Sequence, residues 1–346
     1  MSLSVGIVGL PNAGKSTLFN ALLGRQVADT APYPFCTIEP NVGVVEVPDA
    51  RLDKVAEAVR PEKKIPAVIK FIDIAGLVKG AHQGEGLGNE FLAQIREVDV
   101  ILHLVRAFDA SSVDRAGSVD PQTDEGVVET ELVLKDLETI QKVQSAIRRP
   151  ADKVQNPERG DVLEKVSRVL GEGRAASEAN LSAGEISKIA DLNLLTLKPR
   201  LVVLNVAESA IVAGSKAISL CAKLEEDLSA FSLPERQKYL QGVGVSEAAL
   251  DRVLSICYNL LGLITFFTIK GGTIAQAWPL KGGSTASEAA RLVHSDFARD
   301  FIRAEVLPFS DLVVCGSWAG AKEGGLVAVR GRDYVIRDGD VVEIKV

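Results

Sequence analysis

Residues Gly9-Leu10-Pro11-Asn12-Ala13-Gly14-Lys15-Ser16-Thr17 follow the spacing G-x-x-x-x-G-K-[ST], a pattern suited to holding the phosphates of a nucleotide. Glycines let the backbone wrap an anion, while successive N–H groups and a helix N-terminus supply partial positive charge. Lys15 adds a full positive charge against the β- and γ-phosphates, so Asn12, Ala13, Gly14, Lys15, Ser16 and Thr17 are the expected phosphate contacts. The Ser16 hydroxyl is a ligand for Mg²⁺. Further on, Asp73-Ile74-Ala75-Gly76 has the form D-x-x-G, in which Asp73 reaches the metal and the Gly76 N–H meets the γ-phosphate. Thr37, in the proline-rich stretch 31–40, is the candidate for a second metal-binding hydroxyl that senses the γ-phosphate. Lys15, Thr37 and Gly76 are therefore the expected catalytic contacts, and Ser16, Thr37 and Asp73 the expected metal ligands.

The residue after Gly76 is Leu77, where many GTPases place a glutamine that orients the attacking water. A leucine cannot hydrogen-bond to water, so unaided hydrolysis is expected to be slow. A glycine-rich run with His82, Gln83 and Glu85 follows, and these three read first as solvated loop residues.

A base-reading site is expected at Asn205-Val206-Ala207-Glu208, which stands where an N-K-x-D motif would stand. Ile218 to Lys223 follows and is similar to the S-A-K element that closes over a purine. Asn205, Val206, Glu208, Ala222 and Lys223 are the candidate contacts to the nucleoside.

The elements that must position these residues are legible as apolar runs. Leu3 to Val8, Val68 to Asp73, Val100 to Val105 and Arg200 to Asn205 read as buried strands, with helices opening at Thr17 and Phe91. His103, within one of these strands, is expected to be a satisfied core or strand-end histidine. Such alternation predicts a parallel sheet with helices on both faces, and the ligand at the carboxyl ends of its strands.

About ninety residues separate the strand ending near Val105 from the one beginning at Leu201, too many for one crossover. Between Asp124 and Arg149, Val133, Leu137, Ile140, Gln144 and Ile147 recur at steps of four and three, the seam of a coiled-coil helix. A break at 149–157, a helix with Leu163, Val166, Val169 and Leu170, and a third over Ser182 to Leu192 complete an antiparallel protrusion. After Gly262 the pattern turns β-rich: Leu263 to Thr268, Leu326 to Val329, Tyr334 to Ile336 and Val341 to Val346 read as strands, with a helix over Ala286 to His294. This tail carries no catalytic constellation and reads as a small β-grasp docking module. The expected boundaries are 1–122 with 195–262 for the nucleotide domain, 123–194 for the helical insertion and 263–346 for the tail.

The formal charge of −7 gives no global basic field to attract nucleic acid or membrane, so such a partner must be met by a local patch. Arg148, Arg149, Lys153 and Arg159 on the protrusion and Arg299, Arg303 and Lys322 on the tail are the candidates. Cys36, Cys221, Cys257 and Cys315 are widely spaced and read as reduced thiols. With no export-type N-terminus and no run of 18 apolar residues, a cytoplasmic, monomeric protein without membrane contact is expected.

Assembled in this order, the segments resemble the YchF subfamily of Obg-related P-loop NTPases over nearly the whole chain. The matching runs are Gly9 to Thr17, Pro34 to Asn41, Asp73 to Ala81, Gly84 to Asn89 and Asn205 to Glu208, and the end of the chain is similar to a TGS domain. The resemblance implies an α/β P-loop G domain interrupted by a coiled-coil insertion, an ATPase that prefers ATP to GTP, and association with ribosomes in translation or stress response. It also implies that the leucine after D-x-x-G is a family trait. A histidine that family members commonly carry after the strand ending at Val105 is absent, since that loop runs Phe108 to Gly117 without one.

ATP preference has a chemical basis here. An N-K-x-D aspartate accepts hydrogen bonds from guanine N1–H and the 2-amino group, but Glu208 is longer and Val206 replaces the lysine that packs on the base. A bidentate base contact discriminates by about 1–3 kcal/mol, enough to reverse a preference. A GTPase with a degenerate base motif acting in ribosome assembly is the alternative. Asn12 is similar to an asparagine that coordinates K⁺ in related phosphate loops, so K⁺ joins Mg²⁺ as a candidate cofactor. Two classes of action remain open: an enzyme whose turnover matters in itself, and a nucleotide-gated binding module that hydrolysis resets.

Overall fold

Strand β1 (Ser4–Val8) is buried at every position, as expected of a strand with parallel neighbours on both sides and helices on both faces. The computed structural model describes residues 3–24, 41–74, 87–109, 119–147, 157–210, 218–242, 248–270 and 272–346. Within these, β1 leads into α1 (Lys15–Leu23), β2 (Val42–Glu46), α2 (Ala50–Val59), β3 (Lys63–Ile65), β4 (Val68–Asp73), α3 (Leu87–Glu97) and β5 (Val100–Ala107). Helices α4 (Pro121–Ile147), α5 (Pro157–Gly171) and α6 (Ala183–Ile189) follow, then β6 (Arg200–Val206), β7 (Ser219–Leu220), α7 (Ala222–Ser229), α8 (Leu233–Gly242) and α9 (Ala249–Leu260).

The first sheet runs β2-β4-β1-β5-β6-β7. All its pairings are parallel except β2 on β4 at one edge. Because β1 lies between β4 and β5, connections leave it in opposite directions, the arrangement that opens a ligand crevice at the strands' carboxyl ends. One face packs α1 and α9 through Leu18, Leu22, Leu250 and Leu254 on Ile7, Leu102 and Val203. The other packs α3 and the base of α4 through Leu92, Ile95, Val128 and Leu132.

The predicted protrusion is built from α4, α5 and α6. Val133 and Ile140 are buried in its own core with Leu163, Val166 and Leu170, and Leu137 packs against it. The side chain of Ile147, the seam's last member, lies outside the described residues. The return of the chain is clasped by Asp136, fully buried, whose carboxylate accepts from Leu195 N, Thr196 N and Thr196 Oγ1 at 2.8, 2.8 and 2.6 Å. Ser182 and Glu185 form a reciprocal cap on α6.

The remaining elements are β8 (Leu263–Lys270), β9 (Ile274–Lys281), α10 (Ala286–Val293), α11 (Ser295–Arg299), β10 (Arg303–Pro308), α12 (Phe309–Cys315), α13 (Trp318–Glu323), β11 (Ala328–Arg330) and β12 (Asp340–Lys345). They make a second sheet, ordered β11-β10-β12-β8-β9-β3. Tyr334 to Ile336, expected as a strand, contributes only an isolated bridge from Val335 to Thr285.

The presence of β3 at the edge of this second sheet departs from the expected boundaries, which placed residues 1–122 in the nucleotide domain. Lys63 to Ile65 pair in parallel with Ile274 to Gln276 of β9. Leu52 and Val55 of α2 are buried with Phe267, Leu307 and Val341. Arg51 fastens the junction: it is forked on Asp49 at 2.8 Å, reaches Asp338 at 2.6 Å, and lies over the rings of Phe267 and Phe309. The reason is apolar area, since the amphipathic face of α2 has to be covered and the tail's sheet covers it.

Candidate nucleotide site

The loop after β1 turns on two left-handed residues, Asn12 at φ 62° and Gly14 at φ 94°. Gly14 caps α1 with no side-chain acceptor on the first-turn N–H groups, which leaves them directed at an anion. A Cβ on Gly14 would lie 2.3 Å from Asn205 Nδ2, so glycine is required for close approach as well as for φ. Lys15 is 8 % exposed, and its ammonium donates to Leu10 O at 3.0 Å across the loop. Burial lowers its pKa, with Asp73 opposing the shift.

Ser16 and Asp73, 57 residues apart, meet here: Ser16 Oγ donates to Asp73 Oδ2 at 3.2 Å. The other carboxylate oxygen, Oδ1, is buried without a hydrogen-bond partner among the described residues. Burial raises the pKa of Asp73, and Ser16 and Lys15 partly offset it. A hydroxyl and a carboxylate with one orphaned oxygen beside a phosphate loop form a hard oxygen donor set suited to Mg²⁺, which completes its shell with phosphate oxygens and water. No cluster of three or more His, Cys, Asp or Glu that could hold a metal occurs among the described residues. Thr37 and Gly76, like Leu77, His82, Gln83 and Glu85, lie outside the described residues.

Asn205 joins the phosphate and base sides. It is 4 % exposed, its Nδ2 donates to Ala13 O at 2.9 Å and its Oδ1 accepts from Ala222 N at 3.0 Å. Val206 is buried at the end of β6, and Glu208 stands exposed two residues beyond it. Of the candidate base contacts, Asn205 and Ala222 are thus directly joined. Lys223, by contrast, turns its ammonium to Asp227 and Glu226 of its own helix, at 2.9 and 3.1 Å. Thr17 follows Ser16 in α1 and is half-buried.

Two groups here carry no motif. Tyr239 on α8 donates its hydroxyl to Glu208 Oε1 at 2.6 Å. Arg106, the register partner of Asn205, is 4 % exposed, and its guanidinium lies 4.7 Å over the Phe108 ring. An arginine next to the end of a largely apolar strand was the available signal for Arg106.

His103 is 1 % exposed, but it is not the satisfied histidine expected: Nδ1 has no hydrogen-bond partner among the described residues. Burial, with Arg200 nearby, pushes its pKa down to about 3. The basic candidates for a nucleic-acid patch are largely neutralised. Arg159 is forked on Asp191, Arg299 lies on Asp300, and Arg303 and Lys322 share Glu305. Arg148, Arg149 and Lys153 lie outside the described residues. Among the described residues no helix is long and apolar enough to cross a membrane.

Comparison with known proteins adds the following. The family model YchF-GTPase_C, described as a protein of unknown function, matches residues 263–346. A model described as 50S ribosome-binding GTPase matches residues 4–146. Two relatives called ribosome-binding ATPase YchF are 42 % identical: that of Bacillus subtilis covers 100 % of this chain and 99 % of its own, and that of Escherichia coli O157:H7 covers 99 % and 98 %. The solved YchF GTPase of Schizosaccharomyces pombe superposes with a TM-score of 0.87 at 32 % identity, over 99 % of this chain and 98 % of that one.

Proposed function

Because the chain belongs to the YchF subfamily of P-loop NTPases, we propose that it is a ribosome-binding ATPase that prefers ATP to GTP, turns over slowly alone, and acts as a monomer in the cytoplasm to regulate translation or stress response. The names of the relatives support an NTP hydrolase and a ribosomal partner, but they divide over the base, one calling itself a GTPase and others ATPases. Base preference therefore rests on the residues.

The observation that carries it is the Asn205 bridge. By bonding Ala13 O and Ala222 N it fixes the loop that presents Val206 and Glu208. Val206 stands where a lysine stem would pack on a guanine, and the acid is held by Tyr239. Isothermal titration calorimetry with ATP and GTP in Mg²⁺ tests the reading. Tighter ATP binding is expected, and tighter GTP binding would favour the alternative, a GTPase with a degenerate base motif acting in ribosome assembly.

Ser16 and Asp73, with Thr37, would hold Mg²⁺, which when bound neutralises charge developing on the β- and γ-phosphates. Lys15 exchanges its contact with Leu10 O for phosphate oxygens, and the free N–H groups of the loop and α1 orient the chain of phosphates. The Gly76 N–H would meet the γ-phosphate. Leu77 offers the attacking water nothing, so slow unaided turnover follows. We assign Asn12 as a K⁺ ligand on the same footing: equal turnover in KCl and NaCl would remove it.

A further inference from the structure

Glu208 begins a short 3-10 turn, Glu208–Ala210, so its backbone is fixed a few residues beyond the Asn205 bridge. Its carboxylate does not stand alone. Tyr239 reaches it from a helix 31 residues later, with Oη at 2.6 Å from Oε1. The phenol ring is itself held, packed against the cluster of Leu228, Leu240 and Ala248 and met edge-on by Phe231 at 6.3 Å and 73°. The contact is a short hydrogen bond between an anchored ring and a carboxylate on a fixed turn.

We propose that Tyr239 is a specificity-determining positioning residue for the base: its hydroxyl orients Glu208 and occupies one of the two oxygens that a guanine edge needs. An ionised carboxylate only accepts. Guanine offers two adjacent donors, N1–H and the 2-amino group, which a free carboxylate meets with both oxygens. With Oε1 engaged by Tyr239, guanine finds one oxygen free and must either share the other with the phenol, off the line of its own N–H, or break a charge-assisted hydrogen bond. Adenine presents its unprotonated N1 at that position, with the 6-amino group where guanine has O6, so it asks neither oxygen for a hydrogen bond. Tyr239 therefore costs GTP and leaves ATP unaffected. This rests on Glu208 facing the base, as proposed above.

The test measures the ratio of GTP to ATP dissociation constants by calorimetry on the full chain with Mg²⁺, alongside melting temperature. Tyr239→Phe keeps the packed ring and removes the hydroxyl. The ratio should fall about tenfold, the scale of one hydrogen bond, chiefly through tighter GTP binding and without a change in melting temperature. Glu208→Asp, which withdraws the acid from Tyr239, should move the ratio the same way. In a Glu208→Ala background, Tyr239→Phe should change nothing further. If Glu208→Ala shifts the ratio while Tyr239→Phe and Glu208→Asp do not, Glu208 reads the base and Tyr239 has no part in it, which overturns this inference alone. If Glu208→Ala also leaves the ratio unchanged, Glu208 does not read the base and both readings fall.

Discussion

Gly14 accepts no side chain. A left-handed backbone costs an L-residue roughly 1–2 kcal/mol, and the Cβ would displace Asn205, the residue that ties Ala13 to Ala222. Gly14→Ala is expected to weaken ATP binding at least tenfold, measurable by calorimetry, and to lower the melting temperature by a few degrees. His103 gives a pH prediction. Its folded pKa, about 3, lies below the unfolded value near 6.5, so the unfolded chain binds the proton more readily. The contribution is fully present above pH 6.5 and is lost as pH falls toward 3, at up to about 1.4 kcal/mol per pH unit. In denaturant melts between pH 7 and 5, wild type should lose stability relative to His103→Leu as pH falls; parallel curves would place His103 outside this balance. At this scale Lys15, Ser16, Asp73 and Asn205 were legible because fixed spacings tie them to phosphate and base chemistry. Tyr239 was not, because a partner arriving from a distant helix leaves no spacing to read.

Secondary elements were legible where periodicity was strong. The steps of four and three in α4 gave the protrusion, and the apolar runs gave β1, β4, β5 and β6. Four strands were missed for definite reasons. In β2, Gly43 interrupts a short apolar run. Lys63-Lys64-Ile65 is too short and polar to carry a period. Pro279 inside β9 argues against a strand. In β10, Glu305 breaks the apolar run, although its buried carboxylate is satisfied by Lys322 at 3.2 Å and Arg303 at 3.4 Å. The clasp at Asp136 is likewise invisible in sequence, since its acceptors' partners lie about sixty residues away. Removing it leaves two N–H groups and a hydroxyl without their acceptor, and each buried unsatisfied group costs about 1–3 kcal/mol. Asp136→Ala should therefore destabilise the chain by about 3 kcal/mol or more in urea melts. A loss under 1 kcal/mol would mean that water reaches the turn.

Across the whole molecule, the segment joining Thr37 to Gly76, the two residues expected to sense the γ-phosphate, passes through the tail's sheet. It leaves the first sheet after β2, gives α2 and β3 to the second, and returns as β4, which ends at Asp73. Any displacement of that segment on loss of the γ-phosphate must move the tail's sheet or strain the junction at Arg51. Arg51 lies over the rings of Phe267 and Phe309 and bonds Asp338, whose other oxygen accepts from Thr265 N at 2.9 Å. If the ribosome contact is nucleotide-gated as proposed, this segment would be its route from site to tail, and that contact would need little net positive charge, which suits a chain of charge −7 whose described basic candidates are paired with acids. Arg51→Ala should leave the ATP dissociation constant within about twofold, because the side chain's contacts are with Asp49, Asp338, Phe267 and Phe309 rather than with the phosphate loop. It should also shrink the difference in ribosome co-sedimentation between ATP and ADP. The salt dependence discriminates further, since phosphate contacts give a steep loss of binding with ionic strength and a docking surface made of paired charges gives a shallow one. Arg51→Ala with an undiminished ATP-to-ADP difference would show that the signal reaches the ribosome by another path, the helical protrusion being the next to test by removing residues 124–192.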